Sequence, residues 1–128
     1  MNRKELKLIR ESLNDIITPD LEKLGFTLVE SVTIERERIW RYIRKINNNN
    51  CEIVFRFSAL KAISVDFCTF PGLQFNLTEL DDQADFETKI FGYQYDSEEQ
   101  FREQLRYMKE IILKKGIEKM ERIANRGK

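Results

Sequence analysis

The fold is decided by residues 38–58, which read RIWRYIRKINNNNCEIVFRFS. Two runs in this stretch alternate between apolar and polar side chains, and four consecutive asparagines separate them. Alternation with a period of two is typical of β-strands that bury one face, and asparagine tolerates the positive φ angles of tight turns. The stretch therefore predicts an antiparallel hairpin, with one strand over 38–46 and the next over 51–59.

A turn centred on Asn48-Asn49 sets the expected register of this hairpin. The expected pairs are Trp40 with Phe57, Tyr42 with Phe55, Ile46 with Cys51, Lys45 with Glu52 and Arg41 with Arg56. Aromatic pairs then share one face and charged pairs the other, as a half-buried hairpin requires. The two arginines repel each other in this register unless an acid lies between them, and Asp66 on the following strand is the expected acid.

Three further stretches alternate and extend the hairpin into a meander. One begins at Phe26, the second covers 62–70, and the third, over 73–77, predicts an additional edge strand. An N-terminal amphipathic helix over 3–24 precedes them and ends at Gly25. The Thr18-Pro19 step either divides this stretch into two helices or kinks one helix.

A C-terminal helix follows the meander. Ser97 and Gln100 fit a capping box at its start. Its apolar stripe is expected to be buried and consists of Phe101, Leu105, Met108 and Ile112. Lys114-Lys115-Gly116 predicts that the helix ends there, and the later apolar residues Ile117, Met120 and Ala124 lie on a rotated stripe.

These elements predict an α+β fold in the order α-β-β-β-β-α, an antiparallel meander of four to five strands flanked by N- and C-terminal helices packed on one face. We expect residues 1–128 to form a single domain. The other face of the sheet stays open, as antiparallel sheets allow. This layout, with Leu24-Gly25-Phe26 between the first helix and the meander, is similar in outline to many small bacterial domains, some of which are toxin-immunity proteins.

The charge balance limits the classes of partner. The chain has 22 basic and 22 acidic residues, which argues against a general polyanion binder. The charges are segregated, since residues 71–100 carry one basic and eight acidic groups, and residues 101–128 carry nine basic and four acidic groups. Residues 1–15 lack the apolar segment of a secretory signal, and no apolar run is long enough to span a bilayer, so we expect a cytoplasmic protein without membrane contact.

The sequence carries no recognisable catalytic or metal-binding motif. It contains no histidine, which excludes Ser-His-Asp and Cys-His catalysis and removes the commonest metal ligand. Cys51 and Cys68 lie in apolar strand patterns without a CxxC motif, so we expect two buried, reduced thiols. We expect no catalytic residue, no cofactor and no metal, and a hydrolase or transferase ranks third among the functions considered.

An acidic loop over 79–87 offers one alternative site. Asp81, Asp82 and Asp85 are of the type that binds hard cations. The loop departs from the EF-hand pattern, because Phe86 stands where the glycine belongs and Gly92 where the bidentate acid belongs. We expect a solvated loop, and cation binding stays open as the alternative.

The strand over 38–46 offers a second alternative, an RNA-associated domain. Basic residues interleave with Trp40 and Tyr42 there, and such a pattern can stack bases and neutralise phosphates. The basic residues are Arg36, Arg38, Arg41, Arg44 and Lys45. Because Trp40 and Tyr42 share the face of Phe55 and Phe57, a place in the core is the favoured interpretation.

The sequence therefore predicts a non-enzymatic protein-binding module, of which an inhibitor or an immunity-type partner is one form. The candidate binding surface is the open sheet face, represented by Arg41, Ile43, Val54, Arg56 and Asp66. The competing interpretation is that residues 73–95 fold over this face and make it a second small core. A homodimer contact through Ile117, Met120 and Ala124 is a further hypothesis.

Overall fold

The structure, a computed structural model, describes residues 3–30, 37–70, 72 and 74–126. The helical elements are α1 (Arg3–Ser12), a first π-helical turn (Leu13–Ile17), α2 (Thr18–Lys23), a 3₁₀ turn (Leu77–Glu79), α3 (Phe86–Phe91), α4 (Glu98–Ile111), a second π-helical turn (Ile112–Gly116) and α5 (Ile117–Asn125). The strands are β1 (Thr27–Glu30), β2 (Glu37–Ile46), β3 (Asn49–Ser58), β4 (Ala62–Phe70), β5 (Gln74–Asn76) and β6 (Tyr93–Gln94). The predicted α+β fold is confirmed.

The strands form one antiparallel sheet in the order β1-β2-β3-β4-β5, and β6 also pairs with β4. β5 pairs with β4 at residues 66–68 and β6 pairs with it at residues 62–63, so both lie along the same edge of β4. The edge strand predicted over 73–77 is confirmed by β5. The predicted first strand continues beyond Glu30 into residues 31–36, which lie outside the described residues.

The hairpin turn lies one position earlier than predicted. Asn47 and Asn48 hold the two positive φ angles, 51° and 67°, that a two-residue type I′ turn requires. The observed pairs are Trp40 with Phe55, Tyr42 with Ile53, Ile46 with Asn49, Lys45 with Asn50 and Arg41 with Val54. The predicted pairs are therefore wrong, although every residue keeps its predicted face. Contacts distant in sequence hold this turn, because Asn47 bonds to Asn125 and Asn49 donates to the Ala124 carbonyl at 3.0 Å.

The N-terminal helical segment runs without a break to Lys23. A π-helical turn precedes Pro19, and there the Thr18 amide donates to the Leu13 carbonyl, five residues back. The wider turn accommodates a proline that lacks an amide hydrogen. The predicted end at Gly25 is confirmed by two bonds of a Schellman motif, from the amide of Gly25 to Glu22 and from that of Phe26 to Leu21.

The predicted helix end at Gly116 is wrong. Gly116 has α-helical angles, φ −67° and ψ −49°, and the helix continues through it to Asn125. The glycine lets the ring of Phe67 approach the helix backbone, since a β-carbon at residue 116 would lie 2.6 Å from that ring. Contact distant in sequence has thus overridden a local stop signal.

The helices at both ends of the chain cover one face of the sheet. This face buries the aromatic side chains of β2, β3 and β4, namely Trp40, Tyr42, Phe55, Phe57 and Phe67. The rings contact one another directly, with Trp40 edge-on to Phe57 at 5.4 Å between centroids and Phe67 stacked on Phe75 at 4.7 Å. Burying each such ring stabilises the fold by about 1.5–3 kcal/mol.

The same core includes the residues assigned to a homodimer contact. Ile117, Met120 and Ala124 are buried against the sheet. They are therefore not available to a second copy of the chain, and the predicted homodimer contact at these three residues is wrong. The second π-helical turn explains it, because the wider turn rotates the later apolar stripe back onto the sheet. Within the described residues, no helix has the length and apolar content needed to cross a membrane.

Candidate functional site

The five candidate residues lie together on the sheet face opposite the helices. Arg41, Val54 and Asp66 stand directly beside one another on β2, β3 and β4. Ile43 and Arg56 share this face, since each lies two positions from a member of that row. The sequence therefore predicted correctly which residues meet there.

Ion pairs neutralise both arginines of this face. Arg41 contacts Glu52 at 3.3 Å, and Arg56 donates from Nε to Asp66 at 3.2 Å. Asp66 also accepts a hydrogen bond of 2.8 Å from the Asn76 side chain. Asp66 is thus the acid that serves Arg56, as expected. The predicted clash between the two arginines does not occur, because Ile39 faces Arg56 across the strands.

The apolar part of this face is less accessible than the sequence suggests. Val54 is buried, as is Ile39, and Ile43 is half-buried. Val54 therefore contributes to packing and offers no surface to a partner. Ile43 keeps part of its side chain exposed and stays a candidate.

A groove of about 280 Å³ lies where the open sheet face meets α3. Arg56, Ser64 and Asn76 line it from the sheet, and Ile90 and Phe91 line it from the helix. Arg41 and Ile43 are not among its lining residues. The segment 73–95 therefore borders one end of the face, and neither sequence-based interpretation describes the face completely.

Helix α3 has an unusual distribution of side chains. None of its six side chains, all of which the structure describes, is buried. Three of them are large and apolar, and their exposed fractions are 79% for Phe86, 55% for Ile90 and 59% for Phe91. Exposed apolar side chains that cluster beside a groove are typical of interaction sites.

The ends of α3 fix its position beside the sheet. The Asp85 carboxylate accepts from the Thr88 amide at 2.8 Å and caps the helix. Gly92 ends it at φ 91°, and a β-carbon at this position would lie 2.7 Å from the Ile63 carbonyl of β4. The sequence interpretation missed α3. Asp85 as a cap, acidic Glu87 in the first turn and Gly92 at the end would have indicated it.

The most buried acid of the acidic loop, Asp81, binds two tyrosines. The Tyr93 hydroxyl donates to Asp81 at 2.8 Å, and the Tyr107 hydroxyl donates to it at 2.6 Å. Burial acts to raise the pKa of Asp81, but the hydrogen bonds from Tyr107, Tyr93 and the Gln83 amide outweigh it and lower the pKa below 3.8. Asp81 thereby ties the loop to β6 and α4 as a charged group.

The other acids of the loop also have local partners. Glu79 accepts from the Asn76 amide, Asp82 pairs with Lys115 at 3.1 Å, and Asp85 caps α3. In the part of the chain that the structure describes, no group of three or more His, Cys, Asp or Glu side chains is arranged to hold a metal ion. The acidity of this segment therefore serves loop structure to a large extent.

The tyrosines around Asp81 are not prepared for acid–base chemistry at neutral pH. The Asp81 carboxylate raises the pKa of Tyr107 to about 12. Burial, followed by the bond to Asp81, raises that of Tyr93. A tyrosine that serves as a base needs a lowered pKa. The arrangement is that of a structural hydrogen-bond cluster.

The basic strand does not present its aromatic residues. Trp40 and Tyr42 are buried under the helices, so they offer no rings on which bases could stack. Arg44 pairs with Glu121 and lies over the Phe26 ring, and Arg36 lies outside the described residues. Burial of Trp40 and Tyr42 therefore removes the base-stacking part of the RNA alternative.

The two thiols are free, as expected. Cys51 is buried in the core, whereas Cys68 is half-buried on the open face. Burial raises the pKa of both thiols, which keeps them protonated and poorly nucleophilic at neutral pH.

The groove and the exposed side chains of α3 therefore form, with the open sheet face, the strongest candidate site among the described residues. Comparison with protein-family models, with curated proteins and with solved structures finds no match to this chain.

Proposed function

We propose that this chain is a non-enzymatic protein-binding module that binds its partner through the groove between α3 and the open sheet face. An inhibitor or an immunity-type partner is one form of such a module. The observation that carries the proposal is α3 itself, which places Ile90 and Phe91 on the surface beside the groove.

Exposure of these side chains has a physical cost that a partner would remove. Burying a large apolar side chain is favourable by about 1.5–3 kcal/mol. α3 contributes little of that energy to the fold of the free chain, because its three large apolar side chains keep more than half of their surface exposed. Its two ends are nevertheless held firmly by Asp85 and by the close contact of Gly92 with Ile63. A rigidly held apolar helix is a suitable recognition element, since little conformational entropy is lost on binding.

The sheet beside the groove supports the same function. Arg56 and Asp66 form an ion pair with part of each side chain exposed, and Asn76 bonds to Asp66. Paired charges of this kind at the edge of an interface add specificity rather than affinity. The absence of histidine from the sequence and the raised pKa values of Tyr93 and Tyr107 weigh against an enzyme.

The proposal is tested with a variant that removes the apolar character of α3. Purified wild type and the double variant Ile90→Ser/Phe91→Ser are immobilised and exposed to a lysate of the source cells, and bound proteins are identified and titrated. Both side chains are exposed, so the variant is expected to unfold at nearly the wild-type temperature. We expect a saturable partner that binds wild type and is lost from the variant.

A matched control is available on the helical layer. Leu113 is also an exposed apolar residue, at 38%, and lies on the second π-helical turn rather than beside the groove. Leu113→Ser should therefore retain the partner. A partner that binds the double variant as tightly as it binds wild type would overturn the proposed site.

A further inference from the structure

We infer that the groove beside α3 selects an acidic polypeptide segment, which inserts one apolar side chain and places a carboxylate against Lys89 and Arg56. This inference rests on the proposed function and names the chemistry of the partner. It depends on three properties of the groove, which are its size, its apolar wall and the sign of its charge.

The size of the groove favours a side chain over a free small molecule. About 280 Å³ lies at or below the lower limit of pockets that enclose drug-sized ligands. A space of this size accepts one large apolar side chain, and such anchors carry most of the energy in protein interfaces. Ile90 and Phe91 supply the apolar wall against which this anchor would pack.

Both charged residues that line the groove are basic. Arg56 forms an ion pair with Asp66, whereas the side chain of Lys89 makes no ion pair or hydrogen bond among the residues that the structure describes. The hydroxyl groups of Ser58, Ser64 and Thr88 also line the groove. With Arg56 paired to Asp66, Lys89 adds a positive charge without a side-chain partner among the described residues, and the hydroxyl groups can donate hydrogen bonds beside it, which complements a carboxylate.

None of the acidic side chains of the nearby loop lines the groove. Asp81 is held by two tyrosines, Asp82 by Lys115, and Asp85 by the first turn of α3. Glu87 of the same helix is exposed but is not a lining residue. The net negative charge of residues 71–100 is therefore a misleading guide to the partner, because the charge inside the groove has the opposite sign.

Random peptides displayed on phage, selected on the immobilised wild-type protein, provide the test. We expect the enriched peptides to contain Asp or Glu next to a large apolar residue. The binding of a synthetic copy of one enriched peptide is then measured by calorimetry. Between about 0.1 M and about 1 M NaCl, where the Debye length falls from about 10 Å to about 3 Å, its affinity should fall.

Two variants and one control identify the groups involved. Lys89→Glu should weaken this peptide by about fivefold to tenfold, and Ile90→Ser should weaken it at least as much. Lys23→Glu is the control, since Lys23 is an exposed lysine on α2, in the helical layer. It should leave the affinity unchanged.

The outcomes separate this inference from the proposed function. Two results would overturn the preference for acids and leave the groove as a binding site. One is enrichment of neutral or basic peptides. The other is a peptide whose affinity is unchanged by Lys89→Glu but is weakened by Ile90→Ser. If the peptides bind the Ile90→Ser variant with the same affinity as wild type, both the inference and the groove as a polypeptide site are overturned. A selection that enriches no peptide has the same consequence.

Discussion

The ring of Phe67 on β4 lies against the backbone of Gly116 in the second π-helical turn, at a distance that leaves no room for a side chain. A β-carbon at residue 116 would lie 2.6 Å from both Cε1 and Cζ of that ring. The ring cannot move away easily, because it is fully buried and stacked on Phe75 with an interplanar angle of 5°. This contact joins the C-terminal helix to the sheet.

Gly116→Ala should destabilise the protein, although alanine is the better helix former. The gain in helix propensity is about 1 kcal/mol, and overpacking a filled core costs about 1–3 kcal/mol. Because both Phe67 and the helix are held, we expect a net loss of stability of up to about 2 kcal/mol in urea unfolding. The double variant Gly116→Ala/Phe67→Leu should lose less stability than the sum of the losses of the two single variants. Stabilisation by Gly116→Ala alone would show that the ring does not touch the helix.

Phe55→Ala should cost about 3–5 kcal/mol, from lost transfer energy and from the cavity that remains. Phe55 is fully buried at the centre of the sheet, edge-on to Tyr42 and stacked beside Phe57. Leu60→Ala, in the next turn, is the control, because Leu60 is 78% exposed and should change stability by less than about 0.5 kcal/mol. A loss below about 1 kcal/mol for Phe55→Ala would contradict its place in the core.

The faces of the hairpin could be predicted from sequence, whereas its register could not. Four consecutive asparagines allow several two-residue turns, and each of them pairs an even-numbered residue with an odd-numbered one. Trp40 therefore stays on the face of Phe55 and Phe57 whichever turn forms. The choice of Asn47-Asn48 depends on bonds to Asn125 and Ala124, at the other end of the chain, and the local sequence does not contain that information.

Asp81→Asn should destabilise the protein by about 1–3 kcal/mol at neutral pH, since charged hydrogen bonds to Tyr93 and Tyr107 are lost. The folded-state pKa of Asp81 lies below 3.8, so its contribution is present above 3.8 and is lost as the pH falls through the folded value. The difference between wild type and variant in urea unfolding should therefore shrink in acid. Asp82→Asn, at an exposed ion pair, should show little effect. A difference that grows in acid would contradict the charged state of Asp81.

Tyr42 should make the protein sensitive to alkali. Burial raises the pKa of Tyr42 to about 12, against the lowering effect of its 2.8 Å hydrogen bond with Thr18. Its contribution is complete below the ordinary value of 10.0 and is lost as the pH rises to about 12. This loss corresponds to about 2–3 kcal/mol. The free energy of unfolding, measured across that pH range, should fall less steeply for Tyr42→Phe than for wild type. Equal slopes would show that Tyr42 ionises without unfolding the protein.

The sequence predicted which residues share the open face, but it did not predict the groove at the end of that face. Arg41, Val54 and Asp66 could be placed together because successive side chains of a strand point to opposite faces, so the face of each residue follows from its position in the sequence. The groove was not predicted, since it requires α3 to lie beside Arg56 and Asn76. A six-residue helix without a buried face leaves no hydrophobic periodicity in the sequence, and only its capping residues indicate it.

The attachment of residues 77–92 at both ends to the same strand also has consequences for evolution. β5 and β6 bring the two ends of this excursion onto β4, and within it the exposed side chains of α3 can vary without disturbing the pairing of β2, β3 and β4. Because the side chains of α3 contribute so little to the core, most substitutions there are nearly neutral for folding. On the proposed function, selection can therefore change the exposed residues of α3, and with them the partner, while the residues that pack the sheet stay fixed for stability.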